Sequence, residues 1–125
     1  MRSAAILAAI AGLLVFGAQA QAADSPVQLK PSPPIADSVP AFPRLVAAAD
    51  DPAAQRINKA LDKLDALTRQ AIEDCRSNVD DGADFDFERT VTVTMRGPRY
   101  LSFYVGGSQD CGGAHPDAGT SAFVY

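Results

Sequence analysis

Apolar residues recur every three or four positions in the middle of the chain, which is the spacing of an amphipathic α-helix. The helix is predicted to begin at Pro52, with Asp51 as its N-cap, because a proline at the first helical position loses no hydrogen bond. It is predicted to end near Asn78, before a polar stretch that contains Gly82. Its predicted buried stripe consists of Ile57, Leu61, Leu64, Thr68, Ala71 and Cys75.

After residue 84 apolar and polar residues alternate, which indicates a strand with one buried face. That face is predicted to carry Phe85, Phe87, Val91, Val93 and Met95. Arg89 interrupts it, and we interpret this residue as lying at an edge or open end of the sheet rather than in a site. A turn at 96–99 and an apolar run at 100–105 predict an antiparallel hairpin, and residues 120–125 predict a third strand.

These elements define an α+β fold, in which one long amphipathic helix packs on an antiparallel β-sheet. A short first strand is expected at 44–47, so the folded domain is predicted to cover residues 44–125. The third strand runs to Tyr125 with no turn after it, which would leave an unprotected hydrophobic edge. The sequence is therefore expected to be a fragment whose domain is incomplete at the C-terminus.

The N-terminal residues predict export. Arg2 precedes an apolar run at 4–16, and small residues then offer cleavage after Ala20 or Ala22. Residues 1–22 are therefore predicted to be a secretory signal peptide, and the protein to be periplasmic or secreted. The run is shorter than the roughly 20 apolar residues of a membrane span, so no span is expected after cleavage.

Proline dominates the segment that follows. Six of the nine prolines lie between residues 24 and 43. Because prolines favour an extended, semi-rigid chain, residues 23–43 are predicted to be a linker ahead of the folded domain.

Removal of the signal peptide makes the chain more acidic. The 11 basic residues less Arg2 leave 10 against 15 acidic residues, a net charge of −5. An acidic chain has no electrostatic basis for binding nucleic acid or anionic lipid, whereas it attracts basic proteins.

Cys75 and Cys111 are the two cysteines of the chain, and we predict that they form a disulfide. An exported protein meets an oxidising environment, and a core of this size gains from a covalent link. The bond spans 36 positions, for which the chain-entropy model gives about 4 kcal/mol of stabilisation. Two buried free thiols are the alternative.

Residues 105–116 form the predicted functional region. They hold four of the nine glycines and the single histidine, and they connect two predicted strands. Such a density of glycine indicates backbone angles or close approaches that other residues avoid. The candidate binding residues are Asp110, Gly112, Gly113 and His115, with Tyr104 on the neighbouring strand.

His115 has two interpretations. In the first it is structural and hydrogen-bonds to the backbone of the turn; in the second it serves a hydrolase with Asp110 or Asp117, although no motif places these residues in a triad. Zinc needs three or four nitrogen or sulfur ligands, the acidic run at 80–86 lacks the spacing of a calcium loop, and no phosphate-binding motif is present. No metal and no cofactor is therefore predicted.

The helix segment 57–61, the strand start at 100–102 and the run Gly112-Gly113-Ala114-His115 before an aromatic strand together resemble one bacterial extracytoplasmic family. It is the domain of unknown function numbered 3298, usually preceded by a segment numbered 4163. The resemblance covers about residues 44–125 and implies an α+β fold. It also implies a role in cell-envelope recognition, since the family includes the lysozyme-binding outer part of an anti-sigma factor and domains appended to a peptidoglycan deacetylase. Cys75 and Cys111 are not part of the family pattern.

The first hypothesis for function is an exported, non-enzymatic binding module of the cell envelope. The ligands that the resemblance implies are lysozyme or a peptidoglycan fragment, and the acidic charge favours a basic partner. The alternatives are a small periplasmic hydrolase that uses His115 and an accessory domain of an envelope-modifying enzyme.

Overall fold

The computed structural model describes residues 25–46, 51–80 and 85–125. The predicted signal peptide and most of the acidic run at 80–86 lie outside these residues. Within them, two short strands precede one helix and three longer strands. In chain order the elements are β1 (Leu29–Lys30), β2 (Arg44–Leu45), α1 (Pro52–Asn78), β3 (Asp86–Arg96), β4 (Leu101–Asp110) and β5 (Asp117–Val124).

The limits predicted for the helix are confirmed. Asp51 is the N-cap, and its Oδ1 accepts hydrogen bonds from the backbone N–H groups of Ala53 at 3.0 Å and Ala54 at 3.1 Å. Both bonds satisfy donors that have no partner inside the helix. The buried stripe lies slightly to one side of the predicted stripe, and it consists of Ala54, Leu61, Asp65, Ile72 and Cys75.

The three longer strands form one antiparallel sheet in the order β3-β4-β5, so the predicted α+β fold is confirmed. The hairpin of β3 and β4 contains an irregularity between Val93 and Met95. The second and third strands are longer than predicted: β4 continues through Gly106 and Gly107 to Asp110, and β5 begins at Asp117. Half of the glycine-rich region is therefore strand, and the turn is confined to residues 111–116.

The proline-rich segment packs on the domain, which corrects the prediction that it only tethers the domain. β1 pairs antiparallel with β2, and the side chains of Val39 and Phe42 are 2% and 1% exposed. Asn58 of α1 holds β2 in place, because its side chain accepts from Leu45 N at 2.8 Å and donates to Leu45 O at 3.0 Å. The proline-rich composition of the segment concealed the apolar residues Val39 and Phe42, which lie next to Pro40 and Pro43.

The hydrophobic core lies between the first half of α1, the N-terminal segment and the inner face of the sheet. Phe42 is at its centre, with ring centroids 5.1 Å from Phe103 and 5.9 Å from Phe123 in edge-to-face contact. Such pairs stabilise a core beyond the area that they bury. The buried members of the core are Phe42, Leu45, Ala54, Leu61, Leu101 and Phe103.

A disulfide joins Cys75 in the last turns of α1 to Cys111, directly after β4. The two Cα atoms lie 4.9 Å apart, within the range of native disulfides. The predicted pairing is therefore present, and it fixes the C-terminal end of the helix to the sheet. None of the helices in the described residues has the length and apolar character needed to cross a membrane.

Candidate functional site

A groove of about 390 Å³ lies beside the second half of α1, on the inner face of the sheet. Its floor contains Gly107 and Gly119, which are paired across β4 and β5. Its walls include Thr68 of α1 and Phe87 and Arg89 of β3. This volume lies in the range of small-molecule binding sites.

An adjoining cavity of about 250 Å³ extends the groove towards the hydrophobic core. Thr68, Phe87 and Arg89 line both spaces, while Leu64 and Phe123 line only the second. The combined site thus has a polar part over the two glycines and an apolar part beside the helix.

The two glycines of the floor have different structural roles. A Cβ atom on Gly107 would lie 2.7 Å from the carbonyl oxygen of Glu88, which is closer than a Cβ atom and a backbone oxygen approach in folded proteins. A Cβ atom on Gly119 would have no heavy atom within 4 Å. Gly107 is therefore required by the pairing of β3 with β4, whereas Gly119 leaves open space above the sheet.

This difference gives a matched pair of variants. Gly107→Ala is expected to lower the free energy of unfolding by about 1–3 kcal/mol, because the strands must move apart to accept the methyl group. Gly119→Ala is expected to be neutral or to stabilise by up to about 1 kcal/mol, because alanine restricts the unfolded chain without a clash. Urea denaturation monitored by circular dichroism measures both values, and equal losses would contradict the assigned roles.

A buried ion-pair network stands at the wall of the groove. Asp65 is 1% exposed, and its two carboxylate oxygens bind two guanidinium groups: Oδ1 accepts from Arg89 at 3.1 Å and Oδ2 from Arg44 at 2.7 Å. The backbone N–H of Phe42 donates to the same carboxylate at 3.3 Å. Arg44 also pairs with the exposed Asp62 at 2.8 Å and donates to the carbonyl oxygen of Phe42.

The two arginines are compensated to different degrees. Burial lowers the pKa of Arg44, but its hydrogen bonds to Asp65 and Asp62 and their charges outweigh burial, so the pKa lies above its ordinary value. For Arg89, burial outweighs the hydrogen bond and charge of Asp65, and Arg44 adds repulsion, so the pKa lies below its ordinary value. Arg89 therefore holds the less stabilised of the two positive charges.

The prediction for Arg89 is correct in part. β3 is an edge strand of the sheet, as expected, but the residue is 8% exposed and ion-paired, and its Cζ lies 4.6 Å above the centroid of Phe42. A charged residue on a predicted buried face needs an oppositely charged partner. Asp65 lies one helical turn after Leu61 on the buried side of α1, and this position is the sequence signal for the partner of Arg89.

The turn that contains most of the predicted binding residues closes one end of the groove. It connects Gln109 and Asp110 to Asp117, and Gln109 and Asp117 line the groove. Asp110 Oδ1 accepts from Gly112 N at 3.2 Å, and Gly112 has a φ of +77°, which favours glycine.

The remaining predicted binding residues lie further from the groove. Gly113 and His115 are exposed in the turn, and His115 forms no hydrogen bond within the described residues. Tyr104 lies on the outer face of the sheet, between Thr92 and Ala122. The structure therefore brings Asp110, Gly112, Gly113 and His115 together and places Tyr104 on a different surface.

The described residues contain no cluster of three histidine, cysteine, aspartate or glutamate side chains arranged to hold a metal ion. Part of the acidic run that we considered for calcium lies outside them. For the hydrolase alternative, the Oδ1 atom of Asp110 is engaged by Gly112 rather than by His115.

Comparison with known proteins gives no match: no protein-family model, no curated protein and no solved structure matches the chain. The resemblance to the family numbered 3298 therefore stays a prediction.

Proposed function

We propose that this protein is an exported binding module of the cell envelope, located in the periplasm or secreted, which holds its ligand in the groove between α1 and the sheet. The observation that carries the proposal is the groove itself, with two facing glycines in its floor and a buried arginine in its wall. A glycine floor lets a ligand approach the backbone closely, and an ion-paired wall keeps its shape without ligand.

Two features support export. The N-terminal residues have the order of a signal peptide, with a basic residue, an apolar run and small residues. The disulfide between Cys75 and Cys111 is of a kind that persists in oxidising compartments.

Binding is a better account of the groove than hydrolysis. The titratable group that is buried in its wall is Arg89, which is ion-paired with Asp65 and remains charged at neutral pH. His115, the predicted general base of the hydrolase alternative, is exposed in the turn and does not line the groove. A hydrolase needs a base and a nucleophile within hydrogen-bond reach of one another.

The ligand candidates come from the family resemblance, which implies lysozyme or a peptidoglycan fragment. The net charge of −4 for the whole chain favours a basic protein at long range, because opposite charges increase the rate of encounter. The groove, in contrast, has the dimensions of a site for a small molecule or a short segment of polymer.

Isothermal titration calorimetry of the oxidised protein tests the proposal. We expect saturable binding of lysozyme or of soluble peptidoglycan fragments with a dissociation constant in the micromolar range, equivalent to about 8 kcal/mol. Cytochrome c serves as a basic protein control, and a dextran oligosaccharide serves as a neutral glycan control. Absence of heat with both envelope ligands, or equal binding of the controls, would remove the proposal.

A further inference from the structure

Arg89 has hydrogen-bonding capacity that the ion-pair network does not use. A guanidinium group has five N–H donors, but within the described residues its one hydrogen bond is that from Nη1 to Asp65. No fully buried side-chain nitrogen or oxygen of these residues lacks a partner, so Nε and Nη2 of Arg89 are not completely enclosed by protein. The space beside this side chain is the groove and its adjoining cavity.

Arg89 also has fewer carboxylate partners than Arg44. Asp65 divides its two oxygens between Arg44 and Arg89, but Arg44 has a second carboxylate partner in Asp62. Burial lowers the pKa of Arg89, which agrees with incomplete compensation of its charge. The network of two carboxylates and two guanidinium groups is neutral, and an anionic ligand group could accept from the N–H donors of Arg89 that Asp65 does not engage.

The rim of the groove has the opposite charge. Asp117 lines it on the same face of the sheet as the two glycines and is exposed, while Arg89 is buried in the wall. A ligand with a negative group at one end and a positive group at the other fits both charges. Between them, the facing glycines leave room for a main chain, and Leu64 and Phe123 offer apolar contact for a small side chain.

We propose that the groove binds a short peptide whose C-terminal carboxylate pairs with Arg89 and whose amino end lies towards Asp117. This inference rests on the proposed function, of which it names the ligand class: the peptide part of an envelope ligand occupies the groove. Arg89 acts here as a binding residue, and a carboxylate accepts two parallel N–H bonds from a guanidinium group in the strongest geometry.

Four probes test the inference with the oxidised, isotope-labelled protein in nuclear magnetic resonance titrations. They are trialanine, trialanine amide, N-acetyl-trialanine and acetate. Trialanine is expected to shift the amide signals of Gly107, Gly119 and Ser121 and the Nε–H signal of Arg89. Loss of the carboxylate in trialanine amide should weaken binding about 10- to 100-fold, the range for hydrogen bonds to charged groups. N-acetylation should weaken it up to about 5-fold, because the carboxylate of Asp117 is exposed.

Variants locate the site. Gly119→Val is expected to abolish the shifts, since its side chain occupies the open space above the sheet and valine suits a strand. Ala122→Val is the matched control on the outer face of β5, where Ala122 is exposed opposite Tyr104, and it should bind as the unmodified protein does. Arg89→Lys keeps the positive charge but not the planar pair of donors, so it should reduce the preference for the acid over the amide at least about 10-fold.

The outcomes separate failure of the peptide inference from failure of the proposed binding function. Equal affinity for trialanine and its amide, or unchanged binding by Gly119→Val, overturns the assignment to Arg89 and the groove. Acetate that binds as tightly as trialanine overturns the peptide, because the site would then recognise a small anion alone. If no probe binds while the calorimetric titration of an envelope ligand succeeds, the inference fails and the proposed function stands.

Discussion

Asp65→Ala is expected to lower the free energy of unfolding by about 3–5 kcal/mol, the range for removing one partner of a buried ion pair. The variant leaves the guanidinium group of Arg89 buried without a counter-charge and the buried N–H of Phe42 without its acceptor. Domains of this size have a total stability of about 5–15 kcal/mol, so the loss is a large part of it. Urea denaturation monitored by circular dichroism measures the change.

Asp62→Ala is the matched control for this variant. Asp62 pairs with the same Arg44, but its side chain is 68% exposed. An exposed pair contributes about 0–1 kcal/mol, so the control should stay close to the unmodified protein. Equal losses for the two variants would show that burial of the carboxylate is not what matters.

A double variant separates charge from packing at the same site. Asp65→Leu with Arg89→Met removes both buried charges together, and it should recover most of the stability that Asp65→Ala loses. If the double variant is as unstable as Asp65→Ala, the loss comes from the shape of the site and not from an unpaired charge.

Removal of the disulfide is the second large effect. Cys75→Ala with Cys111→Ala is expected to cost about 4 kcal/mol, because the unfolded chain then regains the freedom that the crosslink removes. The bond closes a loop over 36 positions and joins two elements that have no other covalent link nearby. Urea denaturation of the oxidised protein and of the double variant gives the difference.

Reduction of the unmodified protein provides the control. The protein in reducing agent should match the double variant, and the double variant should not respond to reducing agent. Thiol labelling under denaturing, non-reducing conditions should modify neither cysteine of the oxidised protein. Two labelled thiols in the oxidised protein would contradict the role of this bond. A denaturation midpoint of the unmodified protein that does not change on addition of reducing agent would do the same.

The sequence predicts the helix and the β3–β4 hairpin well, because their signals are local. Asp51 and Pro52 mark the helix start, and the spacing of Leu61 and Cys75 identifies its buried side. The alternation after residue 84 predicts β3 itself, but Val93 and Met95, which we expected on its buried face, are exposed.

The errors of the sequence analysis concern contacts between distant residues. Asp65 and Arg89 are 24 positions apart, and neither the helical nor the strand period shows that they meet. Phe42 lies among prolines, so composition indicated a linker while its ring lies at the centre of the core.

The groove also depends on contacts between distant residues, which the sequence does not show. Because glycine is depleted in strands, the sequence predicts a loop at residues 106 and 107. Only the register of β4 with β5 reveals that Gly107 faces Gly119 and that the two form a floor. The strand residues of the predicted functional region line the groove, and its turn closes one end, while the binding role of the region stays a prediction.

The helix is anchored on both sides of the groove. Asn58 and Asp65 attach its first half to the N-terminal segment, and Cys75 attaches its last turns to the end of β4. Leu64 and Thr68 form the helical wall of the groove and lie between the attachments at Asn58 and Cys75. The cleft is therefore preorganised, so a ligand that occupied it would bind with little loss of conformational entropy.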